Sequence, residues 1–417
     1  MATSKADVIV LGAGMIGVSA ALHLQARGRD VALVERRAAA GEETSYGNAG
    51  LIERSNIFPY TFPRDLPTIL RYALNRAPEA HYHLSALPTV LPWLARYFRY
   101  GSPQAVMRTV AGAKPLIERS LVEHEALMDA AGAKHLLRRM GWIKAFRTKQ
   151  SMDKVLADVA RLKPYGLTVD VLDARQLAER EPHLMGEFTG AVHLRDPGFV
   201  VDPGGLVKAY AALLTARGGR FVSGDARTLR EIPEGWSVEA DNGTIRARDA
   251  VVALGPWSDD VFKPLGYRIP LGIKRGYHRH YGARGNAVLN HPVLDVDGGY
   301  LLAPMARGIR LTTGAEFARR EAPPTPVQLT MAETTARSLF PLGEPIDATP
   351  WMGRRPCLPD MLPVIGQAGR HRRLWFDFGH QHHGFTLGPV SGRLLAEMIT
   401  GETPFTDSAA YAAERFA

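Results

Sequence analysis

Cysteine is nearly missing: Cys357 stands alone in 417 residues. An internal disulfide is therefore excluded, as are metal centres built on several thiolates, and a reducing, intracellular setting is expected. Long apolar runs are missing too. Nowhere do roughly 20 apolar residues follow one another, so no transmembrane helix is expected. The apolar stretch from Val8 is cut by Gly12, Gly14 and Gly17 and has no cationic leader, which predicts no signal peptide. Basic residues exceed acidic ones by a net +9, yet no Lys/Arg block reads as a nucleic-acid arm; a solvated basic surface accounts for them. Repeats and low-complexity tracts are absent.

What is present is a large apolar fraction, 46%, enough for more than one domain-sized core. The chain opens on "DVIVLGAGMIGVSAALHLQARGRDVALVE". Val8–Leu11 reads as a buried strand, Met15–Arg27 as a helix and Val31–Glu35 as a second strand. Gly12 allows the tight turn, Gly14 lets backbone approach a pyrophosphate, and Gly17 lets helix and strand pack closely. The helix N-terminus offers free N–H groups to phosphates. Glu35 ends the second strand, where its carboxylate can accept hydrogen bonds from a ribose diol and would repel a 2′-phosphate. Dinucleotide binding follows; the fingerprint serves FAD and NAD alike, and disfavours NADP.

Further along, "DPGGLVKAYAALLTARGGRFVSG" reads as a capped helix and a strand, residues 269–313 are mostly β, and "RLWFDF" is a last buried strand before a helix from about Thr386 to Thr400. Alternating elements at both ends of a β-rich middle predict two domains, the first assembled from separated pieces.

Four separated motifs occur in the order found in the D-amino-acid oxidase family of FAD-dependent enzymes, which includes glycine oxidase, sarcosine oxidase and the bacterial D-amino-acid dehydrogenases. They are the glycine fingerprint, "ETSYGNAGLI" (43–52), "DAVVALGPWSDD" (249–260) and "GRRPCLPDMLPVIG" (353–366). The chain resembles this family over most of its length, less so between Phe58 and Ala131. The resemblance implies an α/β fold: a Rossmann-like FAD-binding domain from residues 1–85, 200–262 and 349–417, a helical segment at 86–139, and an α+β substrate domain with a mainly antiparallel sheet from 140–199 and 263–348. It implies FAD as cofactor, held by Gly12, Gly14, Met15, Ile16, Gly17 and Glu35 with Arg36. The second motif would add Thr44, Ser45 and Gly50, and the later ones Ala253, Gly255, Trp257 and Gly353.

"FGHQHHGFT" (378–386) places three histidines within four positions. Convergence on a metal is not expected, because neighbouring side chains on extended backbone point to opposite faces and no acidic cluster completes a site. In the family this loop aims the last helix at the flavin, so Gly379, Gly384 and the N–H groups of Phe385 and Thr386 matter most. The resemblance puts His380 beside the flavin. His382 departs from glycine oxidase, which has arginine there; it either faces substrate or is a loop histidine. His383 is expected to be structural.

The resemblance further implies that Arg355 binds a substrate carboxylate, a role suited to a planar guanidinium; the alternative is an interdomain ion pair. Tyr300 and, after it, Tyr277 are candidate substrate contacts, each weighed against a place in the sheet core. The implied reaction is oxidation of the Cα–N bond of D-amino acids, including D-proline or its hydroxylated forms, by hydride transfer to flavin N5, with quinone or O2 as acceptor. Glycine or sarcosine oxidation and a structural FAD-bearing subunit remain alternatives. The stretch "ALPTVLPWLARYFRYG" suits a core helix-turn or a membrane-surface patch, its prolines breaking any long span. A cytoplasmic location, with peripheral membrane contact as an option and no nucleic-acid partner, completes the expectation.

Overall fold

The computed structural model describes residues 3–75 and 77–417. Thr3–Leu11 runs at the centre of a seven-stranded sheet, parallel to Val31–Glu35 on one side and Gly243–Val252 on the other. Arg220–Ile232 extends the parallel set beyond Val31–Glu35, and Leu374–Phe378 extends it beyond Gly243–Val252. Val8, Ile9, Val10 and Leu11 are all fully buried, because layers cover both faces. Val8 and Val10 meet the helices Met15–Gln25, Pro203–Ala216 and Gly384–Thr400, whereas Ile9 and Leu11 pack with Trp236, Phe262 and Phe376. The first and last helices touch backbone to backbone: a Cβ on Gly392 would lie 2.6 Å from Ala20 N.

The second sheet has eleven strands, mostly antiparallel, with Gly272–Ala283 at its hub. Helix Val327–Leu339 covers one face through Leu329, Ala332 and Ala336. Two segments assigned by sequence to the first domain lie in this sheet. Ala80–Tyr82 pairs with Ala315–Phe317, and Trp351–Cys357 pairs with Gly272–His278. The segment expected at 86–139 does not stand apart: Pro103–Ala130 packs on Gly384–Thr400 and places Leu116, Ile117 and Met128 in the first core. The prolines of "ALPTVLPWLARYFRYG" do not interrupt it, since Leu87–Tyr100 is one helix with Pro88 in its first turn and Pro92 inside. No helix among the described residues is long and apolar enough to cross a membrane.

Candidate active site

A cavity of about 600 Å³ opens between the two sheets, from Glu35 and Arg36 at the carboxyl ends of the parallel strands to Arg355 and His382 below the second sheet. Its position outside the strand ends is where doubly wound sheets bind ligands. The glycine loop sets its floor. Gly12 has φ +100°, and a Cβ there would sit 2.7 Å from Ala253 O; on Gly17 it would sit 1.8 Å from Gly12 O. Those two glycines serve the protein's own packing. Gly12 and Gly14 both line the cavity, but a Cβ on Gly14 would meet only Ser45 Oγ, at 3.4 Å. The space above Gly14 is cradle, not core.

Glu35 accepts from Ala13 N–H at 2.8 Å and, through its other oxygen, from Arg36 and Arg37 N–H, which fixes the loop while leaving lone pairs toward the cavity. Ser45 Oγ accepts from Met15 N–H at 3.0 Å, and Thr44 donates to Arg354 O at 2.8 Å. Arg36 lies 4.0 Å over the Trp257 ring and is paired with Glu43. Ile16, Ala253, Gly255 and Gly353 complete this part of the wall.

The last helix begins at Gly384, with His383 as its N-cap residue, and Gly384 and Phe385 face the cavity. Its first N–H groups have no acceptor within the helix, so its positive end is turned toward the ligand space. The preceding loop turns back through left-handed Gly379 (φ +85°) and, unusually, Gln381 (φ +58°), whose N–H donates to Pro356 O. Asn56 donates to Nε2 of both His382 (3.2 Å) and His383 (2.9 Å), so both rings accept and are neutral. Burial drives the His382 pKa well below the usual value and holds His383 at about 4.

Arg355 lies at the substrate end. Its guanidinium covers Gly276, where a Cβ would be 2.7 Å from both terminal nitrogens, and it donates to Gly314 O at 3.1 Å. No carboxylate among the described residues pairs with it, and burial pulls its pKa down. An unpaired, half-buried guanidinium facing a cavity is an anion site in waiting. The alternative role, an interdomain ion pair, is not formed among the described residues.

Other expectations land elsewhere. Tyr300 does not line the cavity: it is a fully buried residue of the second sheet's core, with Asp295 beside its hydroxyl. Tyr277 reaches the cavity wall, but its hydroxyl donates to Glu316 at 2.8 Å and accepts from Arg275 and Thr325 N–H, so its polar end is spent on a buried network. Gly50 is a turn glycine (φ +79°) against Val200 O, outside the lining. The Thr386 side chain ties the last helix to Leu51–Ile52, accepting from Glu53 N–H and donating to Leu51 O. His380 lines the cavity with Nε2 3.3 Å from buried Asp377.

Sequence reasoning missed Trp351, whose ring crosses Gly47 and Gly353; His278, weighed against its strand neighbour Tyr277 and passed over, stacks on it at 4.7 Å. Both face the cavity, as does Tyr277; Gly353, two residues after Trp351, was the one local signal for the indole. Neither nitrogen of His278 has a hydrogen-bond partner among the described residues. His278, His280 and Asp347 bring possible metal-ligating atoms together, but Arg310 donates to His280 Nε2 at 3.0 Å and puts a guanidinium among them. His124 was also missed. It is fully buried, and its Nε2 donates to Phe385 O at 2.7 Å, bracing the helix start.

An open cradle over Gly14, a carboxylate at the strand end, a helix N-terminus and an orphaned polar wall suit a dinucleotide whose second half ends beside Arg355. Residues 7–398 match the FAD dependent oxidoreductase family. The chain is 30% identical to a D-amino-acid oxidase of Bradyrhizobium diazoefficiens, over 98% of both proteins. It is 32% identical to a D-amino acid dehydrogenase of Xylella fastidiosa, over 94% of this chain and 91% of that one. The fold matches the crystal structure of glycine oxidase from Geobacillus kaustophilus with a TM-score of 0.75 and 21% identity, over 98% of each chain. The chain belongs to the family of FAD-dependent oxidoreductases.

Proposed function

We propose that this enzyme oxidises the Cα–N bond of D-amino acids, with Arg355 anchoring the substrate carboxylate. The unpaired Arg355 guanidinium, turned into the same cavity as the glycine cradle, is the observation that carries this reading. FAD, when bound, supplies the acceptor for the hydride removed from Cα. Gly12, Gly14, Glu35 and Ser45 would hold its ADP half, and Gly384 and Phe385 would turn the helix N-terminus to its ring system. The protein's share is positioning: Arg355 orients the carboxylate, and the neutral His382 and His383 add no positive charge against the amine. The product is an imino acid, which hydrolyses to a 2-oxo acid and ammonia when acyclic; cyclic substrates such as D-proline stop at the imine. The names of the curated relatives favour this substrate class.

The test is anaerobic bleaching of the yellow protein by D-amino acids, read against L-amino acids, glycine and sarcosine, then turnover with a dye acceptor and with O2 alone. Bleaching by glycine or sarcosine only would shift the assignment to that class. No bleaching by any amine acid would leave a structural flavin subunit.

A quinone acceptor at the cytoplasmic face of a membrane is the second element of the proposal. Helix Leu66–Ala73 buries none of its residues, and Leu66, Leu70 and Leu74, four apart on one face, are 66%, 57% and 70% exposed. Such a stripe suits contact with a lipid surface.

A further inference from the structure

Lys274 and Arg355 are direct partners across the antiparallel pair formed by Gly272–Ala283 and Trp351–Cys357. Residues facing each other in this way project to the same side. Gly276 and His278 of the same strand line the cavity and the Arg355 guanidinium covers Gly276; Lys274 lies just past that lining, beside Arg355 and near the cavity residue His382. Two cations placed directly opposite each other repel. Ordinarily a carboxylate would stand between them, yet no carboxylate among the described residues acts on either; the ionisable neighbour they share is the Cys357 thiol, whose own pKa burial pushes up. The Lys274 ammonium makes no hydrogen bond among the described residues. It rests instead on ring faces: 4.1 Å from the centroid of Tyr97, 5.3 Å from Trp93 and 5.9 Å from Phe317. Those rings satisfy the charge in part and exclude water, but they accept no N–H. His382, near both cations, is neutral and offers no compensation. Burial and the neighbouring guanidinium press the Lys274 pKa downward, the mark of a cation lacking its counter-ion.

We infer that Lys274 recognises a second carboxylate on the substrate, so that the preferred substrates are amino acids carrying an acidic side chain. This rests on the reading of Arg355 as the anchor for the α-carboxylate. One carboxylate neutralises one of the two cations; a second acid group reaching past Arg355 to Lys274 closes the charge balance.

The experiment compares kcat/KM for D-glutamate with D-glutamine, and D-aspartate with D-asparagine, on the FAD-loaded enzyme with a dye acceptor. Each amide keeps the shape of its acid and loses the charge. The wild type should prefer the acids at least about tenfold, and Lys274→Met should reduce that ratio about tenfold or more, with Lys274→Arg recovering part. Should Lys274→Met fail to retain flavin, Lys274→Gln carries the same comparison. Equal use of acid and amide by the wild type, or an equal fall for both in the variant, would overturn the inference. Binding of glutarate against butyrate, followed by the flavin absorbance, decides without turnover. Glutarate favoured in wild type and not in Lys274→Met supports the inference; equal binding refutes it. If no amino acid of either kind bleaches the flavin, the proposed reaction fails while the glutarate titration still judges Lys274.

Discussion

Buried imidazoles held neutral by the fold make its stability sensitive to acid. His124 donates to Phe385 O and is held neutral, its pKa lowered to about 4 chiefly by burial. In the unfolded chain it returns to the ordinary value near 6.5. The unfolded state therefore binds more protons between these values, so this contribution is complete above about pH 6.5 and is lost as pH falls through 4. His383 acts in the same sense. His124→Leu should cost about 1–3 kcal/mol at pH 7, because a buried carbonyl loses its donor. It should also make the fall in stability between pH 7 and 5 shallower. Urea unfolding of both proteins at the two pH values measures this; an unchanged slope would remove His124 from the account. Nothing in "VEHEAL" marked this histidine, because its partner lies 261 residues away.

At the scale of elements, the glycine loop separates folding from ligand binding. Gly17→Val would drive side-chain atoms into Gly12 O and should unfold the loop. Gly14→Val faces open cradle and should leave a cooperatively folding protein that emerges colourless. Circular dichroism and flavin absorbance on the two variants distinguish these outcomes; a fully yellow Gly14→Val would contradict the cradle. The loop was legible in sequence because strand, glycines, helix and Glu35 fall within one short local unit whose spacing is the geometry. The second sheet was less legible. Ala80–Tyr82 and Trp351–Cys357 join it through pairings with distant strands, a choice that local pattern does not encode. Tyr300 failed as a site residue for the same reason. Strand alternation says that a tyrosine has one of two faces, while the packing of the sheet decides which face is core.

Across the whole molecule, the cavity exists because two sheets built from interleaved segments close over one space, with Trp351 and Arg355 carried there on a strand of the second sheet. The exposed leucines lie on a separate surface helix. The membrane reading of "ALPTVLPWLARYFRYG" moves accordingly, since Trp93 is buried over Gly272 and Phe98 is the partly exposed aromatic. Leu70→Glu with Leu74→Glu should abolish co-sedimentation with anionic vesicles and leave turnover with a soluble dye unchanged. Wild-type protein that stays in the supernatant at low salt would end that reading.

The central claim is that Arg355 holds the substrate carboxylate, and Arg355→Met tests it most directly. The variant should fold and retain FAD, and should lose roughly 30- to several-thousand-fold in kcat/KM for D-amino acids, as expected when a charge-assisted contact worth about 2–5 kcal/mol is removed. Arg355→Lys should recover only part, because an ammonium lacks the planar fork. A flavin-loaded Arg355→Met enzyme with near-normal kcat/KM would contradict the assignment and place the carboxylate anchor elsewhere.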